Sequence, residues 1–216
     1  MKPVKERLPI VDATIKKGLL EHAKTINKMI RDLDKIKDDD GDTGFWTEET
    51  ADKDEIQGKV AGVEAFRIFN EGIVNLPEQS RVRAYQSVAQ VVSSGAWEIL
   101  ETNVINTGWD PHNEFNTTTF RMTVTKGGVY QIVASVGVSD MIDAKLVQVG
   151  IKRNGNWIVV TNGHASHTAT LGVVCFAAEN LSANDYLEAF VYQNSGVDKT
   201  LIALSKWTFL TVIKMI

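Results

Sequence analysis

The sequence predicts a mainly β protein: a C-terminal two-sheet sandwich or jelly roll, a shaft of short strands before it, and an N-terminal coiled-coil helix. Three observations carry this expectation. From Ala84 onward, apolar runs of strand length recur at short intervals between Gly- and Asn-bearing turns. Residues 38–80 are charged, Gly-punctuated and contain one short alternating run. Residues 12–37 carry core positions at alternating steps of four and three.

Residues 1–11 contain two prolines and show no periodicity, so they are the expected peptide for docking on a larger particle. The helix follows over 12–37. Leu19, Ile26 and Leu33 occupy one heptad core position; Ile15, His22, Met29 and Ile36 occupy the other. Leu at a with Ile at d disfavours two strands and points to three or four, so the expected coil is trimeric. Leu20 and Ile30 widen the apolar stripe, which would also suit a single amphipathic helix lying on a domain. His22 reads as a polar, register-setting layer of the coil rather than as a pH switch or an axial ion site.

Asp38-Asp39-Asp40 opposes the helix dipole and Gly41 is a fit stop residue, so the helix is expected to end here. A calcium loop aligned on Gly41 would place Ile36 and Thr47 where acids are required, so the cluster reads as a solvated turn. Within 38–80, alternation is confined to Glu64-Ala-Phe-Arg-Ile68. A strand that short buries too little to stand alone, which again asks for several copies.

The last zone, 81–216, supplies the sandwich. Thr119–Thr125, Val129–Val138, Lys145–Lys152, Trp157–Val160, Leu171–Phe176, Asp185–Tyr192, Thr200–Leu204 and Trp207–Ile213 are the expected strands. Asn154-Gly155 predicts a tight hairpin, because two successive left-handed positions favour that pair. Cys175, within an apolar strand, is expected as a small core residue.

Two resemblances add to this reading. Asp42-Thr43-Gly44, the acids Asp52 and Asp54 before Ile56, Ala61-Gly62-x-Glu64-x-x-x-Ile68 and Gly72-x-Val74 resemble a segment of bacteriophage tail-fibre and appendage proteins. There such segments form intertwined short strands in a shaft. Further on, Glu114-Phe115-Asn116, Phe120, Val124-Thr125, Gly128, Tyr130, Leu181–Leu187, Val191-Tyr192-Gln193-Asn194, Trp207 and Phe209 come in the order of landmarks of another family. They resemble the globular head of complement component one-q, whose fold is shared with tumour necrosis factor. That resemblance implies a ten-stranded jelly roll assembled as a homotrimer. Asn184 stands where the family usually has Gly, a tolerable exchange because Asn enters the left-handed region readily. Phe209-Leu-Thr-Val-Ile213 replaces the usual Phe-x-Gly-x-x-Leu ending, and the coil and shaft take the place of a collagen-like stalk.

Composition limits the function. With 23 basic against 27 acidic residues and a net charge of −4, nothing favours nucleic acid. One cysteine excludes an intrachain disulfide and a Cys-rich zinc site. No apolar run approaches the roughly 20 residues of a membrane span, and none follows the basic start to make a signal peptide. A nucleophile elbow, a phosphate-cradling Gly loop and a helical His-Glu-x-x-His are all absent from the sequence, so an enzyme is not expected and no cofactor is implied.

The expected function is a virion appendage, tail fibre or head fibre, made in the host cytoplasm. Its N-terminus would meet other virion proteins, and its trimeric head would bind a glycan or protein of the host surface. The alternative is a bacterial jelly-roll trimer acting as a glycan-active enzyme or a non-viral adhesin. Candidate binding residues in the head loops are Trp109 and His112, in a long exposed loop, and His164 and His167, flanking Ala165-Ser166. Trp109 would be either a lid or a platform for a ligand. The two later histidines lack a nearby acid or Cys to complete a metal set, so no metal is expected there.

Overall fold

The computed structural model describes residues 18, 21–22, 24–25, 35–37, 43–47, 56–69 and 73–215. The chain divides into two compact units, Met1–Pro77 and Glu78–Ile216.

In the first unit Gly18, Glu21, His22, Lys24 and Thr25 are helical. The His22 ring is 3.0 Å from the Gly18 carbonyl one turn earlier, so its Nδ1 bonds its own helix. Of the other expected coil-core positions, Ile15, Leu19, Ile26, Met29 and Leu33 lie outside the described residues, as do the docking peptide and the acidic turn 38–42. The helix does not reach residue 37, however. β1 (Lys35–Lys37) is a strand, with Ile36 opposite Phe45 of β2 (Gly44–Thr47). Lys-Ile-Lys alternates as well as it continues a heptad, and pairing with a neighbouring strand overrides the local helical preference. Ile36 therefore leaves the expected coil. β3 (Ile56–Val60), β4 (Val63–Ile68) and β5 (Val74–Asn75) complete an antiparallel meander in sequence order. Ala61 and Gly62 make the β3–β4 turn, both at positive φ. Glu64 accepts from Arg67, whose guanidinium holds its carboxyl below the usual range, and also from Gln57.

The second unit begins with β6 (Arg81–Tyr85), β7 (Val91–Val92), β8 (Trp97–Ile99), β9 (Val104–Ile105), β10 (Phe115–Asn116) and β11 (Arg121–Thr123). The long strands follow: β12 (Gly128–Met141), β13 (Leu146–Arg153), β14 (Asn156–His164), β15 (Ala169–Leu181) and β16 (Tyr186–Gln193). β17 (Lys199–Thr200) and β18 (Phe209–Lys214) close the unit. One sheet runs β15-β12-β18-β6-β9 and the other β10-β11-β16-β13-β14, with β8 also on β16; β7 and β17 form a separate ribbon. The described unit is thus a two-sheet antiparallel jelly roll.

Alternation builds its core. Tyr130, Ile132, Ala134, Val136 and Val138 of β12 point inward. They are packed with Val147, Val149 and Ile151 of β13, Leu187 and Val191 of β16, and Leu210 and Val212 of β18. Cys175 is buried here as expected, and burial pushes its thiol up to about 11. Asn154 and Gly155 both have positive φ, forming the expected hairpin, and Asn184 adopts the left-handed conformation at φ 74°.

Two expected strands are shorter. Phe120 at φ 56° interrupts extension, so β11 starts at Arg121 rather than Thr119. Of the run from Thr200 to Leu204, only Thr200 belongs to a strand, beside Lys199 in β17, and Leu201 makes a single bridge.

Polar groups pin one end of the sandwich. Buried Glu114 accepts from Ser80 Oγ (2.5 Å), Thr125 N (2.7 Å) and Thr125 Oγ1 (2.6 Å). Asp185 accepts from Ser182 N (2.8 Å), Asn154 Nδ2 (2.7 Å) and Arg153 (2.8 Å), and the Ser182 amide leads in holding its carboxyl below the usual range. At this same end the chain enters the unit and leaves it: Lys214 N donates to Ser80 O at 2.9 Å.

Candidate functional site

The side of the β15-β12-β18-β6-β9 sheet that faces away from the core holds the first candidate site. Register sets out its rows. Phe176, Val133, Thr211 and Arg83 lie side by side across four strands, and Val174, Ser135, Phe209 and Tyr85 form the next row. Phe176 is 74% exposed and Val174 50%. Two large apolar side chains on adjacent alternate positions of one strand, with no covering from their own unit, leave a continuous apolar surface.

The rest of the face is ordered. Arg83 lies 4.2 Å from the Phe209 ring centroid and donates to Thr211 Oγ1 (2.9 Å) and Ser205 O (2.9 Å). Trp207 lies across Gly137 and Gly172, where an added Cβ would come within 2.9 and 3.0 Å of its indole. Ser135 Oγ donates to Trp207 O at 2.8 Å. Chemically the face offers shape and apolar area. The signal for it lies in the same alternation that hides Val173 and Cys175, whose complement, Val174 and Phe176, falls on this outer side.

The four expected loop residues do not form one site. Trp109 and His112 lie beside the Gly128 end of β12, in a loop organised by Asp110. Asp110 N donates to Arg81 O (2.7 Å), and its carboxylate accepts from Glu114 N (2.6 Å) and Phe115 N (3.0 Å). Trp109 is partly buried, its backbone N–H donating to Asn106 O at 3.0 Å. His112 Nε2 donates to Glu78 O at 2.9 Å. His164 and His167 lie instead near Ala169, which pairs with Met141 at the other end of β12. At about 3.3 Å per residue the two pairs are on the order of 40 Å apart.

His164 and His167 do share a hollow of about 90 Å³, with Ala165, Ser166, Ala169, Thr170 and Leu171. Ser166 Oγ is 3.2 Å from His167 Nδ1. That volume holds a few water molecules and falls well below the roughly 300 Å³ of a small-molecule site. Among the described residues no group of three or more His, Cys, Asp or Glu is arranged to hold a metal ion.

No protein-family model matches the chain. No curated protein matches it in sequence either. Solved structures do. The Eiger tumour necrosis factor of S. frugiperda is 15% identical with a TM-score of 0.51, the match covering 64% of this chain and 93% of that one. The globular domain of a zebrafish complement 1qA protein is 12% identical with a TM-score of 0.46, covering 63% and 98%. Murine APRIL is likewise 12% identical at 0.46, covering 64% and 100%. With the sheet order described above, the first of these similarities identifies the sandwich as a tumour-necrosis-factor-like jelly roll.

Proposed function

We propose that the chain is a non-enzymatic attachment protein that works as a homotrimer: a helical coil and short-strand shaft carrying a receptor-binding head. The observation that supports this most is the exposed pair Phe176 and Val174, in adjacent rows on the outer side of an otherwise well-packed jelly roll. A fully covered Val or Phe side chain stabilises by about 1.5–3 kcal/mol, so leaving both in water needs a reason. Two further copies of the same face supply one. The heptad of 12–34 and the one-q-like landmarks favour the same number of copies. The proposed receptor contact is at the Met141 end of the sandwich, with the end of β14 at His164 and the loop of His167, opposite the end at which the chain enters this unit. We further propose that the particle carrying it is a virion, docked through residues 1–11, in line with the phage-fibre resemblance of 42–74.

Sedimentation of the intact chain tests the assembly. A trimer is expected at micromolar concentration, and Phe176→Lys with Val174→Asp should shift it to smaller species while keeping the β-sheet circular dichroism signal. A monomeric wild type, or a double variant that stays trimeric, overturns the proposed face. Antibody labelling of source particles in electron micrographs tests the virion role.

A further inference from the structure

The opposite outer face, on the β10-β11-β16-β13-β14 sheet, is different. Gly150 sits in the middle of it, paired with Val160 on one side and Phe190 on the other. A Cβ there would fall 2.6 Å from Trp157 Cζ3, so only glycine lets the indole lie down over the sheet. A bulge between Ile151 and Lys152 brings Trp157 opposite Lys152. Trp157 then meets Trp97 of β8 at 4.5 Å between centroids, inclined by 49°, and Phe190 edge-on at 5.5 Å. Tyr192 backs Trp97 at 5.5 Å. On top of this cluster Trp157 stays 40% exposed.

Polar groups surround the rings. The Lys152 ammonium hangs 4.5 Å from the Trp157 centroid and 4.4 Å from that of Phe190. Among the described residues no carboxylate or carbonyl meets it. The neighbouring Glu188 is instead paired with Arg121 at 2.7 Å, which leaves the face with one uncompensated positive charge. On the other side, Gln148 Nε2 donates to Asn162 Oδ1 at 2.6 Å. This leaves Gln148 Oε1 and Asn162 Nδ2 as an acceptor and a donor side by side, next to Tyr192 in the ladder.

We propose that this face binds an acidic saccharide, a sugar bearing a carboxylate of the uronic or sialic type. The weakly positive C–H face of a pyranose suits the negative face of the exposed indole. Its carboxylate suits Lys152, whose charge is only partly screened at a half-buried position, and its hydroxyls suit the amide pair. A protein partner fits less well, since the rings already cover one another and the remaining groups are polar. The site is complete within one copy, so it stands independently of the trimer.

The test uses the full chain and tryptophan emission, titrating sialyllactose and a hyaluronan tetrasaccharide against lactose and maltotetraose. Saturable binding is expected for at least one acidic sugar, about tenfold tighter than for its neutral counterpart and weakened by salt. Lys152→Gln should remove that preference. Trp157→Ala should abolish binding, and Gln148→Ala should weaken it where the indole change proves disruptive. The proposal is overturned if neither acidic sugar binds, if neutral sugars bind equally well, or if Lys152→Gln keeps the preference. Sedimentation of the same samples reads the oligomeric state separately, so failure of the trimer and failure of the sugar site are distinguishable.

Discussion

The two units hide their apolar side chains to very different extents. In Glu78–Ile216 the buried hydrophobic residues form one continuous core from Val82 to Val212. In the first unit no described hydrophobic side chain is fully buried, while Phe45, Ile56, Val60, Val63, Ile73 and Val74 are all exposed. Phe45 touches Phe66 at 5.5 Å, but one such pair does not make a core. The second unit has what a domain needs to fold alone; the meander has a strand pattern without a second layer. Length of strand alone therefore does not decide autonomy: the decisive difference is a second sheet against which to pack.

That contrast breaks most decisively on dissection. Residues 78–216 expressed alone are expected to keep a single cooperative thermal transition, whereas residues 1–77 alone should show none at low concentration and gain structure as concentration rises. Calorimetry and circular dichroism read both. A melting 1–77 fragment at nanomolar concentration would reverse the comparison.

Next in size are paired truncations. Leu210→Ala, on the core side of β18, should cost about 2–5 kcal/mol in urea unfolding of the sandwich. Ile56→Ala in the meander should leave that transition within about 0.5 kcal/mol.

The smallest expected effect sharpens the polar side of the second unit. Asp185→Asn removes a carboxylate whose folded pKa is depressed, chiefly by the Ser182 amide. A depressed carboxylate contributes stability above its unfolded value of about 3.9 and loses it as pH falls through the folded value. Wild type should therefore exceed the variant at pH 7, and the gap should narrow below about pH 4 in pH-resolved denaturation. A gap that is constant with pH would assign the effect to packing.

Much of the sandwich was legible because local chemistry and tertiary structure agreed. Asn154-Gly155 demanded a tight turn, Asn184 tolerated a left-handed position, and the alternation of β12, β13 and β16 marked their inner faces before any partner was known. Legibility failed where a partner decides. Lys35-Ile-Lys37 satisfies a heptad and a strand equally, and only the pairing of Ile36 with Phe45 selects the strand. β7, β9, β10 and β17 span two residues each, too few for any period to register. The site residues illustrate the same limit. Trp109 in its loop and His164 at the end of β14 have surroundings of similar polarity in the sequence, yet their opposite ends follow from β12 running the length of the sandwich. The cluster around Trp157 depends on a bulge and a glycine acting together across three strands, and neither residue signals it singly.

One feature of the head has a practical use. β6 and β18 are neighbours, and Lys214 is bonded to Ser80 where the polypeptide comes in. A fluorescent protein or affinity tag joined after Lys214 through a flexible linker would therefore emerge at the foot of the sandwich. The far end of the sandwich, where β14 ends at His164, would stay clear of the label, so the end of β18 suits a reporter that leaves that end accessible.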